Sequence, residues 1–579
     1  MIMARQVLMW ASAARLIAAG LACVVLLLPV ATTGQVLPGC ACTPDALGVS
    51  SAQIDSIFSD WNGTDRPGGA MIIVHHGQPV CQKAYGLASL EYAAPNTCET
   101  IFNVASVSKQ FTAFGILLLE QQGKLRLDDD IRRYLPDLPD FGETITIRHM
   151  LQHTSGLRSL HALFQFAGWR GDDRRSGDDL MQFMQKQRAL NFPVGSEYLY
   201  CNTGFIFAAE IIEVVTGQAF NDWMTEHVFA QLGMHSTFFR EDYTVVVPDV
   251  ATSYYGPPGA YRKSVEFWAY HGSGNLHTTV GDLARWMDNF RTQRVGGPAV
   301  FDRFLTNAVL TSGDTIDYAL GINVNRYRGH TQYVHGGSIG GYRAHLVYFP
   351  DHQLGIAVLG NSASAGPAGK AYALADLLLD GEASPEPGPV VTASSHGTRP
   401  PTRAEIDRLK GHYKWLGGNP RYRQIVSEDG RLLYVNNDQR TELGVLPSGD
   451  LIFLGITNEI ELREAVIENK AVLAVYENGV LDGYLRKFKP WDWSDADIAA
   501  LAGRYYSPEV ETAYILRQDE KGLIIDHPRH EARRIVPRER DHLQAGGWHI
   551  KVHRDQQNKI SGISMTNGRV RNLWFARVE

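Results

Sequence analysis

The sequence predicts an α+β body followed by an all-β tail. A strand pair over 69–85 leads into a long apolar helix that begins at Ser106. Residues 381–402 then lose all periodicity and fill with proline. Beyond them the chain becomes short alternating strands and turns. With 579 residues the chain is too long for one core, so two or more domains are expected. A net charge of -7 with no basic block argues against a nucleic-acid partner.

From the N-terminus, Arg5 and Arg15 precede a nearly unbroken apolar run, Leu16 to Val30, and small polar residues follow from Ala31 to Gln35. That order is a secretory signal, and the run is short for a spanning helix. The expectation is export to the periplasm or beyond, with no stable membrane span after processing. Leu37-Pro38-Gly39-Cys40 resembles a lipoprotein site, but Pro38 and the distance from the apolar run argue against it. Export permits disulfides. Cys81 and Cys98 flank a turn-rich segment and are placed so that they could pair, while the pairing itself is left open by the sequence. Cys40 and Cys42 lack the second pair a zinc site needs, and Cys201 reads as a buried small residue.

Gly69 to His75 reads as a buried strand, His76-Gly77 as a turn and Pro79 to Tyr85 as the return strand. His75 and His76 are no metal pair, because adjacent strand residues face opposite sides. The helix from Ser106 ends near Gln122, with Gly123 closing it. Thr144 is the expected cap of a helix through Leu151, and Thr278 or Thr279 that of a helix through Phe290. Val334 to Phe349 turns strand-like again. In the tail, Leu409-Lys410-Gly411-His412-Tyr413 and Leu501-Ala502-Gly503-Arg504-Tyr505 form a weak repeat, each after a short acidic helical segment. Two small β-barrels are the natural reading and one larger β-domain the alternative.

Three stretches carry chemistry. In Ser106-Val107-Ser108-Lys109 a lysine three residues on shares the serine's helix face. The helix that follows is apolar enough to be buried, and burial lowers a lysine's pKa toward that of a useful base. In Tyr200-Cys201-Asn202 the phenol can relay a proton if nearby positive charge lowers its pKa, and the amide can hold Lys109 and a carbonyl. In His335-Gly336-Gly337-Ser338 two glycines let a strand approach a ligand, and its main-chain amides can bind an extended substrate. The amides of Ser106 and Ser338 are the expected oxyanion hole. His335 is expected to orient substrate or to keep Tyr200 active.

These motifs, in this order, resemble the serine hydrolases that include class C β-lactamases, serine D-peptidases, D-aminopeptidases and related esterases. The resemblance covers roughly 50–380 and extends to Leu151-Gln152-His153-Thr154-Ser155-Gly156-Leu157 and Gly272-Ser273-Gly274-Asn275-Leu276. It implies a β-lactamase-like antiparallel sheet flanked by helices, with a helical subdomain near 130–250. It also implies Ser106 as the acylated nucleophile, Lys109 and Tyr200 as base and relay, and Asn202 as holder of lysine and substrate, with Gly336 and Gly337 beside the substrate and no cofactor or metal. Where a β-lactamase of this type has a lysine, this chain has His335, a weaker partner for a substrate carboxylate. That departure and the β-rich tail point toward D-aminopeptidases and toward peptidases that open linearised microcystin.

The organisation expected is a signal peptide over 1–34, a catalytic domain over 35–380, a linker over 381–402 and β-barrels over 403–490 and 491–579. The activity expected is hydrolysis of short or linear peptides, D-residue-containing or linearised cyclic ones included. A carboxylesterase of the same fold and a silent penicillin- or peptide-binding protein are the alternatives. Self-association is left open by the sequence. Removing 403–579 is expected to widen substrate range.

Overall fold

Strand Gly69–His75 is buried on both faces, and its alternation sorts it between two cores. Ala70, Ile72 and Val74 enter the larger one, while Met71 and Ile73 enter the second, beside Ile54, Phe58 and Trp61. A strand covered on both sides reads as an unbroken apolar run, which is how this one appears in the sequence. The computed structural model describes residues 40–379, 390–417, 420–436 and 439–578. The expected signal segment, 1–34, and residues 381–389 of the expected linker lie outside the described residues.

The central sheet has six antiparallel strands, in the spatial order Asn323–Tyr327, His330–Ile339, Tyr342–Phe349, Leu354–Gly360, Gly69–His75 and Gln78–Tyr85. Helix Pro367–Leu378 packs on one face and helix Val280–Thr292 on the other. Thr279 caps the latter by accepting from the Asp282 amide. A largely helical region follows helix Ser108–Gln121, with Ile147–Leu151, Leu160–Phe166, Gly177–Gln185 and Asn202–Thr216 among its members. The cap of the first is Thr146, not Thr144. Its hydroxyl accepts from the His149 amide, and the His149 ring reaches back to the Thr146 amide. Among the described residues no single helix is long and apolar enough to cross a membrane.

Cys81 and Cys98 do not pair with each other. Cys42 bonds Cys81 and Cys40 bonds Cys98. The reason is strand addition. The N-terminal segment runs along Gln78–Tyr85, where Thr43 N–H donates to Val80 O at 2.8 Å and Gln82 N–H to Ala41 O at 2.7 Å. This sets Cys42 opposite Cys81. Cys201 is free and buried.

The tail contains two barrel-like sheets. Eight strands from Gly411–Leu416 to Val480–Phe488 close into a barrel, and nine strands from Gly503–Ser507 to Val570–Arg577 form the second sheet. The sequence repeat has a structural basis. Helices Arg403–Leu409 and Asp495–Leu501 each carry a capping box. After each, the repeat tyrosine donates to the repeat leucine's carbonyl, Tyr413 to Leu409 at 2.6 Å and Tyr505 to Leu501 at 2.8 Å.

The second tail sheet shares the main core with the helical region. Their polar junction is an ion pair between Arg158 and Glu509 at 2.8 Å, with both side chains almost fully buried. Arg158 also donates to Gln187 Oε1 and to Arg571 O, so its charge is well surrounded by acceptors. Removing one member of such a pair typically costs about 3–5 kcal/mol.

Candidate active site

Ser106 stands in a short 3-10 turn, Ala105–Val107, that runs directly into helix Ser108–Gln121. Ala105 adopts φ 49°, a left-handed conformation uncommon outside glycine. Its neighbours hold it there. Asn103 Oδ1 accepts from the Ala105 amide at 2.9 Å, and Ser108 Oγ donates to Ala105 O while accepting from the Leu276 amide at 3.1 Å. The serine is thus presented on a braced corner.

Lys109 is fully buried. Its Nζ lies 3.2 Å from Ser106 Oγ, 2.8 Å from Asn202 Oδ1 and 2.6 Å from Ser273 O. Burial drives its pKa well below the usual lysine range, and the charge of Arg569 pushes the same way. A neutral amine has two N–H donors and one lone pair. Two of the three neighbours are carbonyl oxygens that can only accept, so they take the two donors. The lone pair is left for the Ser106 hydroxyl. The arrangement can draw a proton from Ser106 without any charged partner.

Tyr200 lies beside this pair, its ring centroid 4.8 Å from Lys109 Nζ and 4.7 Å from Arg569 Cζ. From the sequence, its relay role is conditional on positive charge lowering its pKa. Burial outweighs that charge and the hydrogen bond with Ser106, and the net shift is upward. The phenol is protonated at neutral pH, so it is suited to donate a proton and not to act as a resting base.

His335 sits on strand His330–Ile339 and is only 4% exposed. Its Nδ1 lies 2.7 Å from Gly336 O, so that nitrogen carries the proton and Nε2 accepts from Tyr318 Oη at 3.1 Å. Tyr318 Oη in turn accepts from His153 Nε2 at 3.1 Å. At the far end His153 Nδ1 accepts the Cys201 amide at 3.0 Å. The backbone groups at both ends fix both tautomers and the direction of the chain. Burial holds His335 at about 3 and His153 well below its usual range, so both rings are neutral. The chain ties the third motif to the second. The His153 ring also packs on Tyr200, centroids 4.2 Å apart.

Gly337 is a close-approach position, since a Cβ there would stand 2.1 Å from Val104 O. Gly336 is exposed and has room for a side chain. Strand Asn323–Tyr327 pairs only with His330–Val334, so the His335–Ile339 segment has one edge outside the ladder. Ser338, with Ser106 and Asn202, lines a cavity of about 220 Å³ whose other walls include His161, Trp268 and Tyr270. Sequence reasoning quoted His153 and Ser273 without a role and missed Tyr318, His161 and Arg569. The Asn567-Gly568 dipeptide between two apolar runs signals the hairpin that carries Arg569, but not what the hairpin touches.

A family model described as Beta-lactamase matches residues 54–380. The chain belongs to the β-lactamase family. D-aminopeptidases of Cereibacter sphaeroides and Brucella anthropi are each 24% identical to it, covering 88% and 89% of this chain and 96% of their own length. A penicillin-binding protein of Bacillus subtilis is 26% identical over 74% of this chain and 96% of its own. The octameric penicillin-binding protein homologue from Pyrococcus abyssi shares the fold, with a TM-score of 0.53 at 21% identity, over 76% of this chain and all of that one. By fold and family this β-lactamase-family protein is a serine hydrolase.

Proposed function

We propose that the protein cleaves peptide amide bonds through an acyl-enzyme on Ser106. The observation that supports this most is the lone pair of Lys109, left facing Ser106 Oγ by two carbonyl acceptors. Lys109 takes the hydroxyl proton as Oγ bonds the substrate carbonyl carbon. The amides of Ser106 and Ser338 receive the developing oxyanion. The C–N bond then breaks, Tyr200 gives its proton to the leaving amine, and Lys109 returns one to Tyr200. Water enters, Lys109 takes its proton as the water oxygen bonds the acyl carbon, and the bond to Ser106 Oγ breaks as Lys109 returns that proton to Oγ. Asn202 holds the amine of Lys109 and faces the acyl group. His335, through Tyr318 and His153, positions Tyr200. With every donor and acceptor supplied by side chains and main chain, the steps call on no metal or cofactor.

The amide reading draws support from the D-aminopeptidase relatives, whose likeness runs through the tail as well as the catalytic half. Peptides with D-residues are therefore the first class to test, and linearised cyclic peptides the second. The two disulfides fit a protein that folds in an oxidising compartment after export. The test is a comparison of kcat/KM on matched peptide amides and nitrophenyl esters, with products identified by mass spectrometry. Cleavage of a peptide amide, lost in Ser106→Ala, supports the proposal. Ester turnover with no amide cleaved across a mixed D/L library would replace it with the carboxylesterase reading.

A further inference from the structure

Three side chains outside the cleft converge on one point. Glu213 stands in the last turn of helix Asn202–Thr216, Glu241 follows the short strand Phe238–Phe239, and His271 precedes Gly272-Ser273. One ligand atom from each lies within 4.8 Å of the other two. His271 Nε2 and Glu213 Oε1 are 3.7 Å apart. That is too long for a hydrogen bond. It is close to the separation of about 3.4 Å that two ligands take on one tetrahedral ion bonded at roughly 2.1 Å.

Each side chain is oriented from behind. The His271 ring stacks on Phe220, with centroids 5.0 Å apart and planes 10° from parallel. Its Nδ1 is buried and has no hydrogen-bond partner among the described residues, and Nε2 is the nitrogen turned toward Glu213. Glu213 Oε1 accepts from the Phe220 amide at 2.8 Å, and Glu241 Oε1 accepts from the Asn221 amide at 3.3 Å. Asn221 Oδ1 accepts from the Phe239 amide at 2.8 Å, which holds the chain two residues before Glu241. Outer contacts of this kind aim ligands at a metal. Glu241 is exposed, so rotation of its side chain closes the remaining gap.

The local charge is unbalanced. Among the described residues neither Glu213 nor Glu241 is paired with a lysine or arginine, and the one ionic neighbour of Glu213 is His271. Glu210, one turn back on the same helix, is pushed up to about 8 by burial and by the charges of Glu213 and Asp178. A cation between the three side chains relieves this excess.

The position gives the site a role. Two oxygens accept from Lys109: Asn202 Oδ1, at the start of the helix that ends with Glu213, and Ser273 O, two residues after His271. Between them in the same segment, Gly272 O accepts from Thr112 at 2.8 Å. An ion shared by Glu213 and His271 fastens together the two elements that hold Lys109.

We propose that Glu213, Glu241 and His271 bind one divalent cation of the zinc type, completed by water, and that this ion ties helix Asn202–Thr216 to the 271–276 segment. One imidazole and two carboxylates suit zinc and its transition-metal neighbours, whereas calcium and magnesium take oxygen ligands. The role is structural, and no step of the proposed hydrolysis passes through the ion.

The test uses full-length protein stripped with EDTA and dialysed. Zinc chloride is titrated in by calorimetry, with calcium and magnesium chloride as comparators. Hydrogen exchange is then mapped with and without zinc. One zinc per chain is expected at this site, with calcium and magnesium at least about 10-fold weaker. Glu241→Gln, a change at an exposed side chain, should weaken zinc by about 10- to 100-fold or more, since loss of even an outer contact costs that much. His271→Phe keeps a ring on Phe220 and should abolish the site. Zinc should slow exchange in 209–216 and 271–276 of the wild type and leave Glu241→Gln unchanged at the same concentration. No saturable zinc binding, binding that both variants leave intact, calcium bound as tightly as zinc, or binding with no added protection in either segment overturns the inference. Labelling of Ser106 by a fluorophosphonate reads the hydrolase proposal separately, so either can fail alone.

Discussion

Arg569→Gln should move the acid limb of the pH–rate profile upward. Lys109 must be neutral to accept the Ser106 proton, so activity falls as pH drops through its pKa. The Arg569 charge disfavours protonated Lys109 and lowers that pKa; removing the charge raises it. The two groups stand 4.7 and 4.8 Å from one ring centroid, so they are no more than 9.5 Å apart. At an effective dielectric of about 20 that separation corresponds to at least roughly 1.7 kcal/mol, or about 1.3 in pKa. Arg569 is exposed, and water and salt screen it, so about half of this is expected to survive. The predicted rise is roughly 0.6 to 1.3. The assay is kcat/KM for a neutral ester from about pH 4 to pH 10, where the limb reports the free enzyme. Arg569→Lys keeps the charge and should leave the limb in place, and higher salt should shrink the difference between Gln variant and wild type. A limb that stays put in Arg569→Gln, or moves to lower pH, refutes the assignment of Lys109 as the base under Arg569's influence.

Tyr318→Phe leaves His153 Nε2 and His335 Nε2 without their shared partner. It should lower kcat by about 10- to 100-fold, with a smaller change in KM, because each buried unsatisfied group costs about 1–3 kcal/mol and Tyr200 loses its support; steady-state kinetics on the ester read this. Glu509→Gln leaves the buried Arg158 charge without its counter-ion and should cost about 3–5 kcal/mol of tail docking. Limited proteolysis and urea unfolding of the full chain should show earlier exposure of the tail. Truncation before residue 403 should give insoluble or molten protein rather than an enzyme of broader range, because Phe166 and Arg158 lose Trp548 and Glu509. Expression yield and near-ultraviolet circular dichroism check it.

The side chains proposed for catalysis were legible because chemistry constrains them locally. A serine, a lysine one turn on and an apolar helix behind them are visible in the sequence and are what the site needs. The supports were not legible, because tertiary folding brings them together. Tyr318 bridges His153 and His335 from a loop with no motif of its own. Arg569 arrives from a hairpin in a different sheet. The sign of the Tyr200 shift depends on how deeply the ring is buried, which residue order does not reveal. The cysteine pairing was not legible for a similar reason, since Cys40 and Cys42 gain partners only when their segment adds to a strand edge. Thr146 displaced Thr144 as a cap because His149 stands at the position that completes a capping box. The tail repeat was legible as a pattern because each copy builds the same tyrosine-to-leucine bond. What remained invisible was that the second copy joins the catalytic core.

The most direct test is intact-mass analysis after exposure to a fluorophosphonate, followed by peptide mapping. The account predicts one adduct per chain, on Ser106, forming faster as pH rises through the Lys109 limb, much slowed in Lys109→Met and absent in Ser106→Ala. An adduct on another serine, or labelling of Ser106 at an undiminished rate without Lys109, would contradict it.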